Sequence, residues 1–298
     1  MSTFSGKRAE DGRIPFAEMT VRRMVTVESQ DLLQLARGAA QVAAAILLDG
    51  QPDAPRSAVV GTATKSSPTD VVTEKDLASE KAIIDYLAAA RPQDGFIAEE
   101  SGIREGESGV KWVIDPLDGT VNYLYGSTQW CVSIAAVDSE GALVGVVLAP
   151  AFGVEFWAVR GEGAWRKDSL GETRLGPVAD TDLATALVAT GFGYREERRR
   201  NQARVVAQVI PQVRDIRRKG SAALDLCWVA SGVVNAYYER GTNAWDIAAG
   251  GLVAAEAGAR VSGLRGNPAG TDMVLAAAPG LHAQLAELLT GLDADLGD

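Results

Sequence analysis

Cysteine and histidine are almost missing from this 298-residue chain, which has two of the first and one of the second. No Cys-x-x-Cys pair and no Cys/His spacing occurs, which excludes a zinc site of that kind. Cys131 and Cys227 lie inside the apolar stretches WCVSIAAV and LDLCWVAS. They read as buried free thiols, and a cytoplasmic home is the matching expectation. His282, in LHAQLAELL, stands near the C-terminus on an expected helix. No Ser-His-Asp or Cys-His nucleophile can be built around it. No apolar run approaches the roughly 18–20 residues needed to span a bilayer, so no membrane role is expected. The first residues, MSTFSGKRAEDGRIPFAEMTVRR, lack the apolar segment of a secretory signal. Positive charge is short as well: 29 Lys and Arg against 39 Asp and Glu give a net charge of −10. Binding nucleic acid through its phosphates wants the opposite sign, and none is expected. An acidic chain that handles phosphate needs cations between itself and its substrate.

What is present is a chain 47% hydrophobic, with mean hydropathy near zero, as in a water-soluble globular protein. Residues 1–27 show no helical periodicity and read as a loosely ordered arm. Residues 28–298 read as a single domain with a soft internal boundary near 180, where no linker composition appears. SQDLLQLARGAAQVAAAILLDG, residues 29–50, has apolar residues at helical spacing and a terminal glycine. Thr73 with Asp76 three residues on forms a capping-box pattern, opening a helix that Pro92 bounds. FIAEES, 96–101, reads as a short strand, and DSEG between WCVSIAAV and ALVGVVLAP marks a hairpin. GVEFWAVRGEGAWRK continues as strand, turn and strand. Beyond it, ALVAT, a helix near 201–213, RDIRR, SAALDLCWVASG, VVNAYYE, AWDIAAGGLVAAEAG and MVLAAAP alternate strand and helix. An antiparallel sheet with helices is therefore expected first, and α/β layers after it.

The carboxylates Asp70, Asp76, Glu99, Glu100, Asp115, Asp118 and Asp246 fall at expected strand ends or helix starts. Gathered without a cation, they would raise one another's pKa by repulsion. Magnesium binds through a few carboxylates with water and substrate phosphate. In DPLDGT, Pro116 holds Asp115 extended, and Asp118 follows close enough to share a site with it. Gly119 permits close backbone approach, and Thr120 opens a helix whose N–H groups favour an anion. The same six residues also suit a plain turn, since Asp, Pro and Gly all favour turns. Asp76 also fits a simple helix cap, Glu239 a solvated carboxylate, and Asp246 a dipole-favoured residue at a helix start.

AEES, DPLDGTVNY and NAWDIAAG, with KSSPTDVVTEKD upstream and AYYERG late, resemble the inositol monophosphatase family. The match runs from about residue 30 to 280 in the family's order and spacing. The resemblance implies the fructose-1,6-bisphosphatase-like αβαβα sandwich and a magnesium-dependent phosphomonoesterase. Its metal ligands would be Glu99, Asp115, the Leu117 carbonyl, Asp118 and Asp246, holding two to three Mg2+, with Mn2+ possible. Asp115 would bridge two of the ions. Thr120 and Asp76, supported by Glu100, would orient the attacking water, with Glu99 also counted catalytic. Gly119 and Thr120 would bind phosphate. Gly220, Ser221 and Ala222 would line the sugar side, and Asp118, Glu239 and Asp246 would take substrate hydroxyls. Lys65 and Asp70 match a mobile loop that closes over the metals. Lithium sensitivity and a homodimer are further implications. The inositol branch leads because of GSAALDL and AYYERG. Histidinol phosphate, fructose-1,6-bisphosphate and a 3′-phosphonucleotide stay open as substrates, as does a metal-binding module acting through a protein partner. Tyr123, where the family commonly has phenylalanine, keeps the ring, while RGTNA before Trp245 leaves the leaving alcohol open. The arginines of residues 195–219 read as a solvated face.

Overall fold

The computed structural model describes residues 16–50, 62–64 and 71–296. Helix α1 spans Phe16–Gly50, well ahead of the expected start at Ser29. Residues 16–27 are thus helical rather than a loose arm, because extending a nucleated helix costs far less than starting one. Strands β1 (Thr62–Thr64) and β2 (Val71–Thr73) pair antiparallel and lead into α2 (Glu74–Ala90). The expected capping box is present: Thr73 caps Asp76, and the Asp76 side chain answers to the Thr73 backbone.

An eight-stranded sheet follows. It comprises β3 (Gly95–Ala98), β4 (Gly102–Arg104), β5 (Lys111–Asp118), β6 (Cys131–Asp138), β7 (Gly141–Ala149), β8 (Val154–Val159), β9 (Gly163–Asp168) and β10 (Gly171–Arg174). A one-turn helix, α3 (Thr120–Leu124), interrupts it after β5. The order is β10-β9-β8-β7-β6-β5-β3-β4. All neighbours are antiparallel except β3 and β5. That parallel pair departs from the expected antiparallel sheet. The β3–β4 hairpin occupies the sheet edge, so the chain returns on the inner side of β3 and runs with it.

The second sheet holds β11 (Leu187–Thr190), β12 (Asp215–Arg217), β13 (Ala236–Glu239), β14 (Arg260–Ser262) and β15 (Val274–Ala277), ordered β12-β11-β13-β15-β14. Its helices are α4 (Glu196–Val209), α5 (Ala222–Ala230), α6 (Ala244–Glu256) and α7 (Pro279–Gly291). β11 runs parallel to β12 and β13, whereas β15 is antiparallel to β13 and β14.

Strand alternation sorts the core into three layers. Trp112 and Ile114 of β5 pack with Leu32, Ala36, Ala43 and Ile83 of α1 and α2. Val113, on the opposite face, joins Leu224 and Val229 of α5, Ala249 and Val253 of α6, and Tyr237 and Ala276 of the second sheet. Val188, Tyr238 and Leu275, on the far face of that sheet, meet Val205 of α4 and Leu285 of α7. Helices, sheet, helices, sheet and helices stack in that order, the expected αβαβα sandwich. Each fully buried large side chain such as Trp112 contributes about 1.5–3 kcal/mol by leaving water.

Glu28–Asp49 of α1 is long and apolar enough to cross a membrane by length and composition, against expectation. Here its apolar stripe, Leu32, Ala36, Ala39, Ala40, Ala43 and Leu47, is sealed within the core. The basic stretch is largely exposed, with Arg200 paired to Glu196 and Arg217 to Asp215.

Candidate functional site

β5 is buried along nearly its whole length, so the carboxylates at its end sit at the edge of the core. Asp115 pairs with Ser133 of β6, the register then shifts, and Asp118 pairs with Cys131. Pro116 has no N–H to give to the ladder, and the irregularity falls where it stands. The Asp115 carboxylate folds back to accept the Leu117 N–H at 3.0 Å. Ser79 of α2 donates to the Pro116 carbonyl at 3.1 Å and pins the bulge from below. Gly119 then adopts φ +97° and starts α3 at Thr120. A Cβ there would stand 2.8 Å from the Gln129 carbonyl oxygen, so only glycine fits.

The Thr120 hydroxyl lies 3.1 Å from both Asp76 Oδ1 and the Leu117 carbonyl oxygen. Asp76 is fully buried, and its Oδ2 accepts from the Thr73 N–H at 3.0 Å and from the Thr73 hydroxyl. Burial raises the Asp76 pKa, and these hydrogen bonds draw it partly back. Cap and site residue are therefore one side chain.

Asp118 Oδ2 accepts from Ser221 Oγ at 2.7 Å and from the Ala223 N–H at 2.8 Å. Burial pushes Asp118 up to about 6, while the Ser221 and Ala223 hydrogen bonds oppose that rise. Asp246 opens α6, and its Oδ2 accepts the Asn243 N–H at 2.6 Å. Burial, then the Asp118 charge, hold Asp246 well above the carboxylate range. Asp115 is driven up by burial, then by Glu99, Asp118 and Asp246. Glu99 follows β3, where its N–H reaches the Ile114 carbonyl at 3.2 Å. Glu239 ends β13 with Oε2 accepting the Tyr237 hydroxyl at 2.9 Å, and burial pushes it up to about 7.

The structure thus brings Glu99, Asp115, Asp118 and Asp246 into mutual electrostatic range, with Thr120 and Asp76 alongside. Ser221 and the first turn of α5 are turned onto Asp118. Lys65 and Asp70 lie outside the described residues. His282 is buried on α7, the expected helix, with Nε2 2.9 Å from Ser262 Oγ.

Five contributors went unread in the sequence. Ser79 and Glu80 share a buried stripe of α2 with Asp76, and Glu80 accepts the Glu100 and Ser101 N–H groups at 2.8 Å each. Their three- and four-residue spacing from Asp76 was the available signal. Tyr237, two residues before Glu239 and so on the same strand face, gave an equally short-range one. Asn122 stands in the quoted motif without an assigned part. Asp225 is buried one turn into α5, and burial lifts its pKa against the pull of Lys219. Nothing local marks it.

The donor set is all oxygen, and its members destabilise one another's charge. A hard divalent cation relieves that repulsion, so these residues fit one. Among the described residues no three Asp, Glu, His or Cys side chains form a group able to hold a metal unaided. The expected convergence is therefore looser than a closed cage, and water and substrate oxygens would complete the coordination, as is usual for magnesium.

Residues 28–293 match the inositol monophosphatase family. Inositol-1-monophosphatase SuhB of Mycobacterium tuberculosis is 46% identical over 228 residues, covering 74% of this chain and 78% of that protein. The Nus factor SuhB of Pasteurella multocida is 44% identical over 205 residues, covering 68% of this chain and 75% of that one. The solved structure of Mycobacterium tuberculosis SuhB superposes with a TM-score of 0.72 at 38% identity, covering 92% of this chain and 98% of that chain.

Proposed function

Because the chain belongs to the inositol monophosphatase family, a family of phosphatases, we propose that it hydrolyses inositol monophosphate to inositol and phosphate with divalent-cation dependence. The observation that carries this reading is the meeting of four mutually repelling carboxylates at the end of β5 with the Thr120–Asp76 pair. Glu99, Asp115, the Leu117 carbonyl, Asp118 and Asp246 would hold Mg2+, two to three ions per site, or Mn2+ in its place. When bound, such ions would supply Lewis-acid charge and lower the pKa of a water so that it could attack phosphorus as hydroxide.

The protein's own groups do the rest. Thr120 gives its proton to Asp76 in a hydrogen bond, which leaves its oxygen free to accept from a water. Asp76, anchored by Thr73, fixes that orientation, and Glu100, held from its N–H by Glu80, supports the arrangement. The N–H groups of Gly119 and Thr120 at the start of α3 receive the phosphate oxygens. Glu239 and Asp246 take hydroxyls of the polyol, with Asp118 and the Gly220–Ala222 turn beside them. No side chain needs to become covalently phosphorylated. The leaving alcohol is the finer point, and histidinol phosphate, fructose-1,6-bisphosphate and a 3′-phosphonucleotide are the competitors. A homodimer, a cytoplasmic setting and lithium sensitivity belong to the same proposal.

The test is phosphate release from D- and L-inositol 1-phosphate and the three competitors, with and without Mg2+. Mg2+-dependent turnover of an inositol phosphate, abolished in a folded Asp118→Asn, is expected. Full activity in that variant sinks the reading. A preference for another substrate keeps the site and changes the alcohol.

A second reading draws on relatives named Nus factor and on the exposed arginines of α4 and the segment after it. It makes the chain a module that also works through a protein partner. A pull-down that depends on Arg199 and Arg200, and survives Asp118→Asn, supports it.

A further inference from the structure

Two neighbouring stretches and one distant stretch meet at one side chain. Asn122 of α3 donates from Nδ2 to the Gln129 carbonyl at 2.6 Å and to the Lys219 carbonyl at 2.8 Å. Both amide protons are then used, and a side-chain amide has no more to give. The Asn122 backbone carbonyl in turn accepts the Ser127 N–H at 2.9 Å. Gln129 leads into β6, whose first residue, Cys131, pairs with Asp118. Lys219 leads through Gly220, at φ +93°, into Ser221 and α5. A Cβ on Gly220 would lie 2.9 Å from Asn122 Nδ2, so this close seat also demands glycine. The entrance to β6 and the entrance to α5 are thus fastened to the segment that follows Asp118.

What α5 does from that position is specific. Its Ser221 hydroxyl and Ala223 N–H both end on Oδ2 of Asp118, and the Cys131 thiol lies 3.9 Å from the same oxygen. All three contacts share one oxygen, and the Ala222 backbone adds a further hydrogen bond to the same carboxylate. If the turn before α5 drifts, the carboxylate loses the donors that fix its rotation.

We propose that Asn122 is a positioning residue for Asp118. Its paired hydrogen bonds seat the start of α5, which fixes the rotation in which the carboxylate meets a divalent cation. The inference rests on the reading of Asp118 as a cation ligand. It assigns Asn122 no contact with substrate.

The experiment is Mn2+ binding, followed by the electron paramagnetic resonance of free Mn2+, to the intact chain at pH 7.5, each variant first shown folded. Asn122→Ala removes both donors and is expected to weaken Mn2+ binding by at least about tenfold, the range typical when a metal ligand loses its orienting partners. Asn122→Ser keeps one donor and falls between, and it carries the test should the alanine variant not fold. Leu285→Ala, a core deletion on α7, lowers stability away from the site and should leave the affinity of folded molecules unchanged. Wild-type affinity in folded Asn122→Ala overturns the proposal. So does an equal loss in Leu285→Ala, which would make the effect general loosening. A wild-type chain that binds no Mn2+ and releases no phosphate brings down the metal reading itself. Binding by wild type with an unaltered Asn122 variant brings down this inference alone.

Discussion

Replacing Glu239 with glutamine isolates the burden that one buried carboxyl places on the fold. Burial lifts Glu239 from an ordinary 4.5 to about 7. Between those values the folded chain holds a proton that the unfolded chain has released, so folding binds protons. Stability therefore falls as pH rises through this window, and the loss is complete above about pH 7. Each pH unit between the two values corresponds to about 1.4 kcal/mol, which sets an upper bound of about 3.4 kcal/mol. Glu239 is only partly buried by surface area, so solvent screening reduces the expectation to about 1–2 kcal/mol. Glutamine still offers an oxygen to the Tyr237 hydroxyl, so the hydrogen bond survives. Urea unfolding in chelator, run at pH 4.5 and pH 8, reads the difference. Glu239→Gln should match wild type at pH 4.5 and exceed it by about 1–2 kcal/mol at pH 8. Asp118, Asp225 and Asp246 share electrostatic repulsion with Glu239, so the difference between the curves reports Glu239 together with that repulsion. An equal offset at both pH values refutes the reasoning.

Other outcomes follow from the same geometry. Gly119→Ala places a Cβ against the Gln129 carbonyl at a left-handed φ, and should lower stability by about 2 kcal/mol or more in urea. Thr120→Val should lower kcat by roughly 10²-fold with little change in Tm, whereas Thr120→Ser stays near wild type. Mg2+ at about 100 times its dissociation constant should raise stability at pH 8 by about 2.7 kcal/mol. An unfolding midpoint insensitive to Mg2+ at that pH contradicts the proposed ligand set.

The sequence disclosed what is local. The strand ending in Asp115 and Asp118, the glycine that starts α3, and the Thr73–Asp76 cap are each decided within a few residues, and each appears as read. Alternation and helical spacing likewise placed the elements that stack into five layers. The first turns of α1 escaped notice because a helix can be extended through residues that would not start one. The parallel pairing of β3 with β5 escaped because it depends on which side of β3 the chain returns. The grip on Asp118 joins residues more than a hundred positions apart, and its donors are a serine and a backbone N–H that look like an ordinary helix start. Asp225 shows the limit plainly, since no pattern around it distinguishes a buried carboxyl from an exposed one.

The buried stripe of α2 changes character along its length: Asp76, Ser79 and Glu80 in the first turns, Ile83 and Leu87 after them. The polar end takes hold of Thr120, the Pro116 carbonyl and the turn at Glu100 and Ser101. The apolar end is set in the core against α1. One rigid rod therefore acts as a jig for three separate pieces of the site. Any tilt or slide of α2 carries those pieces together and keeps their spacing. The relative geometry of the water-orienting hydroxyl, the bulge and the first carboxylates is thus set by a single helix, while Asp118 and Asp246 answer to α5 and α6.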